Sequence, residues 1–119
     1  MRLIEGPAAF EADAVQCRAE VRADGPFTRG GSAPASVCLE LIAQAAAALL
    51  ARGDDGPRGG HLLAARSLEL FADELRVGDL LDVRARVARS EGLATVDGSV
   101  HRGRERVATA RLTVLRRGA

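Results

Sequence analysis

The stretch VCLELIAQAAAALLA, residues 37–51, constrains the fold more than any other part of the sequence. It is rich in Ala and Leu, which favour helices, and it contains no Gly or Pro. Its only polar side chains are Glu40 and Gln44, which lie four residues apart and therefore share one face of a helix. We expect this helix to begin at Pro34 or Ser36 and to end at Arg52. A helix that is apolar on every side requires covering on every side.

The segments around the helix have the alternation typical of strands. Residues 14–23, AVQCRAEVRA, place apolar side chains on one side and polar side chains on the other, which predicts a half-exposed strand. Four more strands are predicted after the helix, the first of them largely buried: HLLAARSLELF (61–71), DLLDVRARVARS (79–90), LATVDGSVHR (93–102) and RVATARLTVLRR (106–117). Short turns between the last three predict an antiparallel meander.

This order of elements predicts an α+β protein with the hotdog fold, in which an antiparallel sheet wraps around one long central helix. A chain of 119 residues suits one domain, so we expect a single hotdog domain over 1–119. Such a sheet has exposed edges. Pairing of two sheets edge to edge, in a homodimer or a heterodimer, would cover one of them.

Composition excludes several classes of function. The net charge is +1, the basic residues are all Arg and are spread among acidic ones, and the three aromatic residues are all Phe, so a nucleic-acid surface is not expected. The longest apolar run is too short to span a bilayer, and no signal peptide precedes it, so we expect a cytoplasmic protein. Cys17 and Cys38 fit no metal-ligand spacing, and no metal site is expected; Cys38 is predicted to be a small core residue.

Residues 26–47, PFTRGGSAPASVCLELIAQAAA, resemble the signature of the β-hydroxyacyl-acyl-carrier-protein dehydratases. In that family a His-Phe pair opens a loop rich in Pro and Gly. The loop leads into a helix that carries Glu or Asp, followed three and four residues later by Ala-Gln. The matching positions here are Phe27, Pro34, Glu40, Ala43 and Gln44. Further along, LRVGDLLDVRARV resembles the family's Pro-Gly-Asp-x-Leu motif through Gly78, Asp79 and Leu81.

The resemblance implies that this chain acts on acyl thioesters and identifies its site residues. Glu40 would be the catalytic carboxylate, acting as general acid or base, and Gln44 would orient it or contact the substrate. Pro26 stands where the family has its catalytic His, and Pro has no group that transfers a proton. His61 is the candidate to replace that base. The alternative for Glu40 is an exposed side chain stabilised by the helix dipole, and for Gln44 a buried amide bonded to backbone.

Substrate binding is assigned to residues at the start of the helix and in the loop before it. The backbone N–H groups near Ser36 and Val37 would polarise the thioester carbonyl, as the resemblance implies for dehydratases. Phe27 and Pro34 would line the same place. The other histidine, His101, lies at a strand end beside a turn and is expected on the surface.

Three functions fit these residues. The first is a (3R)-hydroxyacyl-carrier-protein dehydratase of fatty-acid or polyketide biosynthesis. The second is a thioesterase that uses Glu40 to activate water or to attack the carbonyl and needs no His. The third is a degenerate subunit that pairs with an active homologue. In each case we expect no cofactor, and a substrate or partner that carries its acyl group on the phosphopantetheine of an acyl carrier protein or coenzyme A.

Overall fold

The computed structural model describes residues 5–51, 61–90 and 93–116. Within them a six-stranded antiparallel sheet has the strand order β1-β2-β6-β7-β8-β4, and a second sheet contains only β3 and β5. In chain order the elements are β1 (Glu5–Phe10), β2 (Ala14–Glu20), β3 (Ser32–Pro34), α1 (Val37–Ala51), β4 (His61–Leu70), β5 (Glu74–Arg76), β6 (Leu80–Ser90), β7 (Leu93–Arg102) and β8 (Glu105–Arg116).

The alternating segments form the centre of the large sheet, as predicted. β6, β7 and β8 pair as an antiparallel meander, and β2 pairs with β6. The apolar residues of β2 and β6 lie opposite one another in the pairs Val15–Ala85, Cys17–Val83 and Ala19–Leu81, and all six are buried. One face of the sheet is therefore the wall of the core, while the polar residues between them face away from it.

α1 fills the concave face of this sheet. It begins at Val37. The preceding residue, Ser36, is one of the two predicted start positions. The predicted end at Arg52 lies outside the described residues. One arc of the helix packs on the sheet and is formed by Cys38, Leu41, Ile42, Ala45, Ala46, Leu49 and Leu50, all buried. This arrangement confirms the predicted fold class.

The helix packs closest to the sheet at Ile42. A layer of small buried residues lies across the sheet at this point, with Gly98 of β7 between Ala85 of β6 and Ala110 of β8. A Cβ atom added to Gly98 would lie 3.0 Å from Cγ1 and 3.2 Å from Cβ of Ile42, and closer still to its Cγ2. The absence of a side chain at residue 98 is therefore what allows this packing.

Two expectations about burial are wrong for the isolated chain. The strand that starts at His61 was expected to be largely buried, but in β4 only Leu68 is half-buried among residues 64–70 and the rest are exposed. α1 was expected to be covered on every side, yet Glu40, Ala47, Ala48 and Ala51 are exposed along one stripe. The physical reason is shared: β4 is the last strand of the sheet, and one sheet covers only one arc of a helix.

Three short elements were not predicted. β1 precedes the first predicted strand, and β3 and β5 each contain three residues, too few for a periodic pattern. The β3–β5 pair joins the loop before the helix to the segment after β4, with Ser32 opposite Arg76 and Pro34 opposite Glu74. Across the described ranges, no helix is long and apolar enough to cross a membrane.

Candidate functional site

The start of α1 offers backbone N–H groups to a ligand. The Cys38 amide donates to the Ala35 carbonyl at 3.0 Å, and the Leu39 amide donates to the Ser36 carbonyl at 3.1 Å. The first N–H groups of a helix have no acceptor within it, so the amides of Ser36 and Val37 are the donors available at this end. Ser36 is exposed and Val37 half-buried. Both amides lie at the helix start, where we expect the groups that polarise the thioester carbonyl.

Glu40 and Gln44 lie on the open stripe of α1. Glu40 is in the first turn and is exposed, whereas Gln44, one turn further, is half-buried. Glu40 is exposed in the single chain because the residue lies outside the arc that faces the sheet. The helical spacing does bring the two polar groups together on one face, as predicted.

The loop with Pro26 and Phe27 lies against the same end of the helix. The hydroxyl of Thr28 donates to the Arg22 carbonyl at 2.7 Å, and the Thr28 amide donates to the Gly25 carbonyl, which makes the loop compact. A small cavity of about 50 Å³ separates the loop from α1. Its lining includes Pro26, Phe27, Val37, Leu41, Leu75 and Leu81. Pro34, in β3, is exposed.

The structure does not bring His61 to Glu40 within one chain. His61 is the first residue of β4, opposite Arg116 of β8. The other end of β4 leads to Asp73, whose carbonyl accepts a hydrogen bond from Ala35 next to the helix start. A strand of 10 residues spans about 30 Å. His61 therefore lies at the opposite end of β4 from the helix start.

His101 lies on the outer face of β7, away from the helix. It is half-buried rather than fully on the surface, and it is in register with Asp82 of β6 and Arg106 of β8. Its Nδ1 atom is buried and has no hydrogen-bond partner among the described residues. Its neighbour Val100 faces the core. His101 therefore belongs to the other face of the sheet and is not part of the candidate site.

A group of ion pairs lies next to the helix start, and no sequence pattern predicts it. Arg102 at the end of β7 donates from Nη1 to Oδ2 of Asp79 at 2.6 Å, and from Nε and Nη2 to Glu105 at 3.0 and 3.1 Å. In the sequence, Asp79 is identified only as part of the segment that resembles the family's Pro-Gly-Asp-x-Leu motif. In the sequence, nothing distinguishes Arg102 from other arginines at strand ends. Its pairing with Asp79 is found only in the folded chain.

The charges in this group affect two nearby groups. Burial of the Asp79 carboxyl raises its pKa, but hydrogen bonds from the Arg76 amide and from Arg102, with the charges of both arginines, lower that pKa below the ordinary value. Burial raises the pKa of the Cys38 thiol to about 11, and the charge of Arg102 opposes this rise. Cys38 is thus a protonated core residue, as expected, and not a nucleophile.

We expect Asp79→Asn to change the pH dependence of stability. Because the folded-state pKa of Asp79 is lowered, its ion pair contributes fully above the unfolded-state pKa of about 3.9 and is lost as the pH falls through the folded-state pKa. The free energy of unfolding should therefore be higher for wild type than for the variant near neutral pH. This difference should shrink as the pH falls below the unfolded-state pKa. Urea unfolding at several pH values measures it. A difference independent of pH would contradict this assignment.

The described residues contain no group of three or more His, Cys, Asp or Glu side chains that could hold a metal ion. The groups at the helix start that can act on a substrate are the Glu40 carboxylate, the Gln44 amide and the backbone N–H groups of Ser36 and Val37. This set can polarise a carbonyl and move one proton. It contains no second proton-transfer group where Pro26 stands.

Comparison with known families decides the class of the protein. A model of the ApeP-like family, described as ApeP dehydratase, matches residues 1–118. The chain belongs to the ApeP-like dehydratase family. This ApeP-like chain is thus dehydratase-like, as its sequence motifs predicted. A comparison with curated proteins finds no match.

Solved structures similar to the ApeP-like chain include dehydratases and thioesterases. The dehydratase heterocomplex ApeI:P from Xenorhabdus doucetiae matches with a TM-score of 0.78 at 20% identity, over 97% of this chain and 82% of that one. A hypothetical thioesterase with coenzyme A from Streptococcus pneumoniae matches with a TM-score of 0.71 at 16% identity, over 97% and 84%. A putative thioesterase from Ralstonia eutropha, related to phenylacetic acid degradation, matches with a TM-score of 0.69 at 23% identity, over 94% and 82%. At these identities the likeness establishes the hotdog fold.

Proposed function

We propose that this ApeP-like chain is one subunit of a two-chain hotdog dehydratase that acts on (3R)-hydroxyacyl thioesters. The observation that carries the proposal is at the helix start. Glu40 stands on an open stripe of α1 near the helix-start amides. The resemblance to the dehydratases implies that Pro26 replaces the catalytic His of that family. The chain thus supplies the acid and the carbonyl-binding groups, and a second hotdog chain supplies the base.

The proposed reaction removes water from the β-hydroxyacyl group. The thioester carbonyl accepts hydrogen bonds from the amides of Ser36 and Val37, which stabilises the negative charge that develops on its oxygen. The base of the second chain takes the proton from the α carbon. The bond between the β carbon and the hydroxyl breaks, and Glu40 gives its proton to the leaving hydroxyl so that water departs. Both groups then return to their starting states by proton exchange with solvent.

A second chain explains the two surfaces that the isolated chain leaves open. Among residues 5–51, 61–90 and 93–116, no strand pairs with the outer edge of β4, whose side chains from 64 to 70 are mostly exposed. Native sheets rarely leave such an edge uncovered. Covering the stripe of α1 would also enclose Glu40 between the two chains. The similar dehydratase from Xenorhabdus doucetiae is itself a heterocomplex, which supports a heterodimer over the alternative, a homodimer.

A hotdog thioesterase is the second candidate. The supporting observation is the same exposed Glu40 with no histidine at the helix start, because one carboxylate is sufficient to activate water or to attack a thioester carbonyl. Two of the similar structures described above are thioesterases, one of them with coenzyme A.

A panel of thioester substrates separates these functions. The probes are (3R)-hydroxyacyl and saturated acyl thioesters of several chain lengths, each prepared on coenzyme A and on an acyl carrier protein. The chain is assayed alone and with a hotdog chain from the same organism that has His at the position matching Pro26. We expect enoyl thioester only from the mixture, without release of free thiol. Thiol released from saturated thioesters by the chain alone would establish the thioesterase instead.

A further inference from the structure

Arg102 forms ion pairs with two carboxylates. Its side chain is 26% exposed, and its guanidinium contacts carboxylates in two different segments, Asp79 before β6 and Glu105 at the start of β8. The pair with Glu105 closes the β7–β8 hairpin around Gly103, whose φ of +61° favours glycine. The contact with Asp79 is different, because it joins this hairpin to a part of the chain 23 residues away.

Asp79 connects three segments through its backbone and its side chain. Its Oδ2 atom, which accepts from Arg102, also accepts from the Arg76 amide at 2.9 Å. Its amide donates to the Arg76 carbonyl, and its carbonyl accepts from the Val21 amide at 3.0 Å. The turn between β5 and β6 is therefore fixed to the end of β2 on one side and to Arg102 on the other.

From this turn, hydrogen bonds lead to both halves of the candidate site. The Val77 amide donates to the Gly31 carbonyl at 3.0 Å, which attaches the loop that contains Pro26 and Phe27. On the other side, β5 pairs with β3, and the Ala35 amide donates to the Asp73 carbonyl at 3.2 Å. Ala35 directly precedes Ser36, whose amide lies at the helix start. The loop and the helix start are thus held relative to each other by β5 and its turn.

We propose that Arg102 is a positioning residue for the acyl-thioester site, acting through Asp79 and β5 on the helix-start amides and the Pro26–Phe27 loop. This inference rests on the proposed function. Arg102 contacts no substrate; it keeps the groups that do so at their correct separation. Since an error of about 1 Å in the position of reacting groups costs up to about 100-fold in rate, loss of Arg102 should act on the rate of the chemical step.

Hydrogen exchange tests the structural part of this proposal without any activity. In the full chain, Arg102→Gln should accelerate exchange about tenfold in peptides that cover residues 25–31 and 35–39, and leave residues 108–114 of β8 unchanged. The matched control is Arg111→Gln, because Arg111 also donates to a carboxylate, Asp97 at 2.8 Å, on a neighbouring strand. No acceleration by Arg102→Gln, or an equal acceleration by the control, would overturn the proposal.

Kinetics of the two-chain enzyme test the functional part. Arg102→Gln should lower kcat about 10- to 100-fold and change KM much less, since the amides act mainly on the transition state. Arg102→Lys, which keeps one charged contact, should recover part of that loss. A change in KM alone, or no recovery by Lys, would overturn the positioning role. If wild type forms no enoyl thioester while the exchange result holds, the proposed function fails and the structural linkage stands.

Discussion

Replacing Glu40 by Gln is expected to lower the rate of water elimination by the two-chain enzyme by about 10²- to 10⁴-fold, the range that one general acid–base group contributes. Gln keeps the size and shape of the side chain but cannot act as an acid toward the leaving hydroxyl. Substrate binding should change little, because the helix-start amides are untouched. Product formation followed at saturating and at low substrate gives kcat and KM separately.

The matched control for this variant is Glu11→Gln. Glu11 is also an exposed glutamate, but it lies in the turn between β1 and β2, at the end of β2 that is opposite to the Val21–Asp79 contact. This variant removes the same charge outside the site, so its kcat should equal that of wild type. Full activity of Glu40→Gln would eliminate Glu40 as the catalytic carboxylate, whereas equal losses in both variants would indicate an effect of net charge.

The second large effect is expected for Gly98→Ala. The added Cβ would overlap Ile42, which is fully buried between the helix and the sheet. Overpacking of this kind destabilises proteins by about 1–3 kcal/mol. Urea unfolding of the purified chain measures the change. The neighbouring Ser99→Ala, on the opposite face of the same strand, should stay within about 0.5 kcal/mol of wild type.

A double-mutant cycle identifies the contact responsible. Ile42→Ala alone should cost about 2–5 kcal/mol because it leaves a cavity. Combined with Gly98→Ala, the loss should be smaller than the sum of the two, since the new methyl group occupies part of that cavity. Strict additivity would show that Gly98 is required for a reason other than the approach of Ile42.

The parts of the fold that the sequence predicts are those with a regular local pattern. α1 has 15 residues without a helix breaker, and β2 and β6 alternate with period two, so their buried faces follow directly. β3 and β5 have no such pattern, because three residues form less than two periods. Their pairing depends on residues about 40 positions apart.

The exposure of β4 and of the helix stripe has a different cause. Ala64, Ala65 and Leu70 have the composition of a covered strand, and the isolated chain does not cover them. Within the candidate site, helical spacing predicts that Glu40 and Gln44 share one face, and the family resemblance implies their roles. Arg102 is not predicted, since its role depends on Asp79, which only the folded chain brings to it. The sequence therefore predicts the candidate site residues better than the residues that hold them in place.

The most direct test of the two-chain dehydratase is a titration of this chain with the histidine-bearing hotdog chain of the same organism. Formation of enoyl thioester from a (3R)-hydroxyacyl thioester is followed at a fixed concentration of the second chain. We expect the rate to rise to a plateau at equimolar mixing. Glu40→Gln in this chain should abolish the rise although native mass measurement still finds the heterodimer. A rate that does not depend on this chain, or on its Glu40, would contradict the two-chain dehydratase.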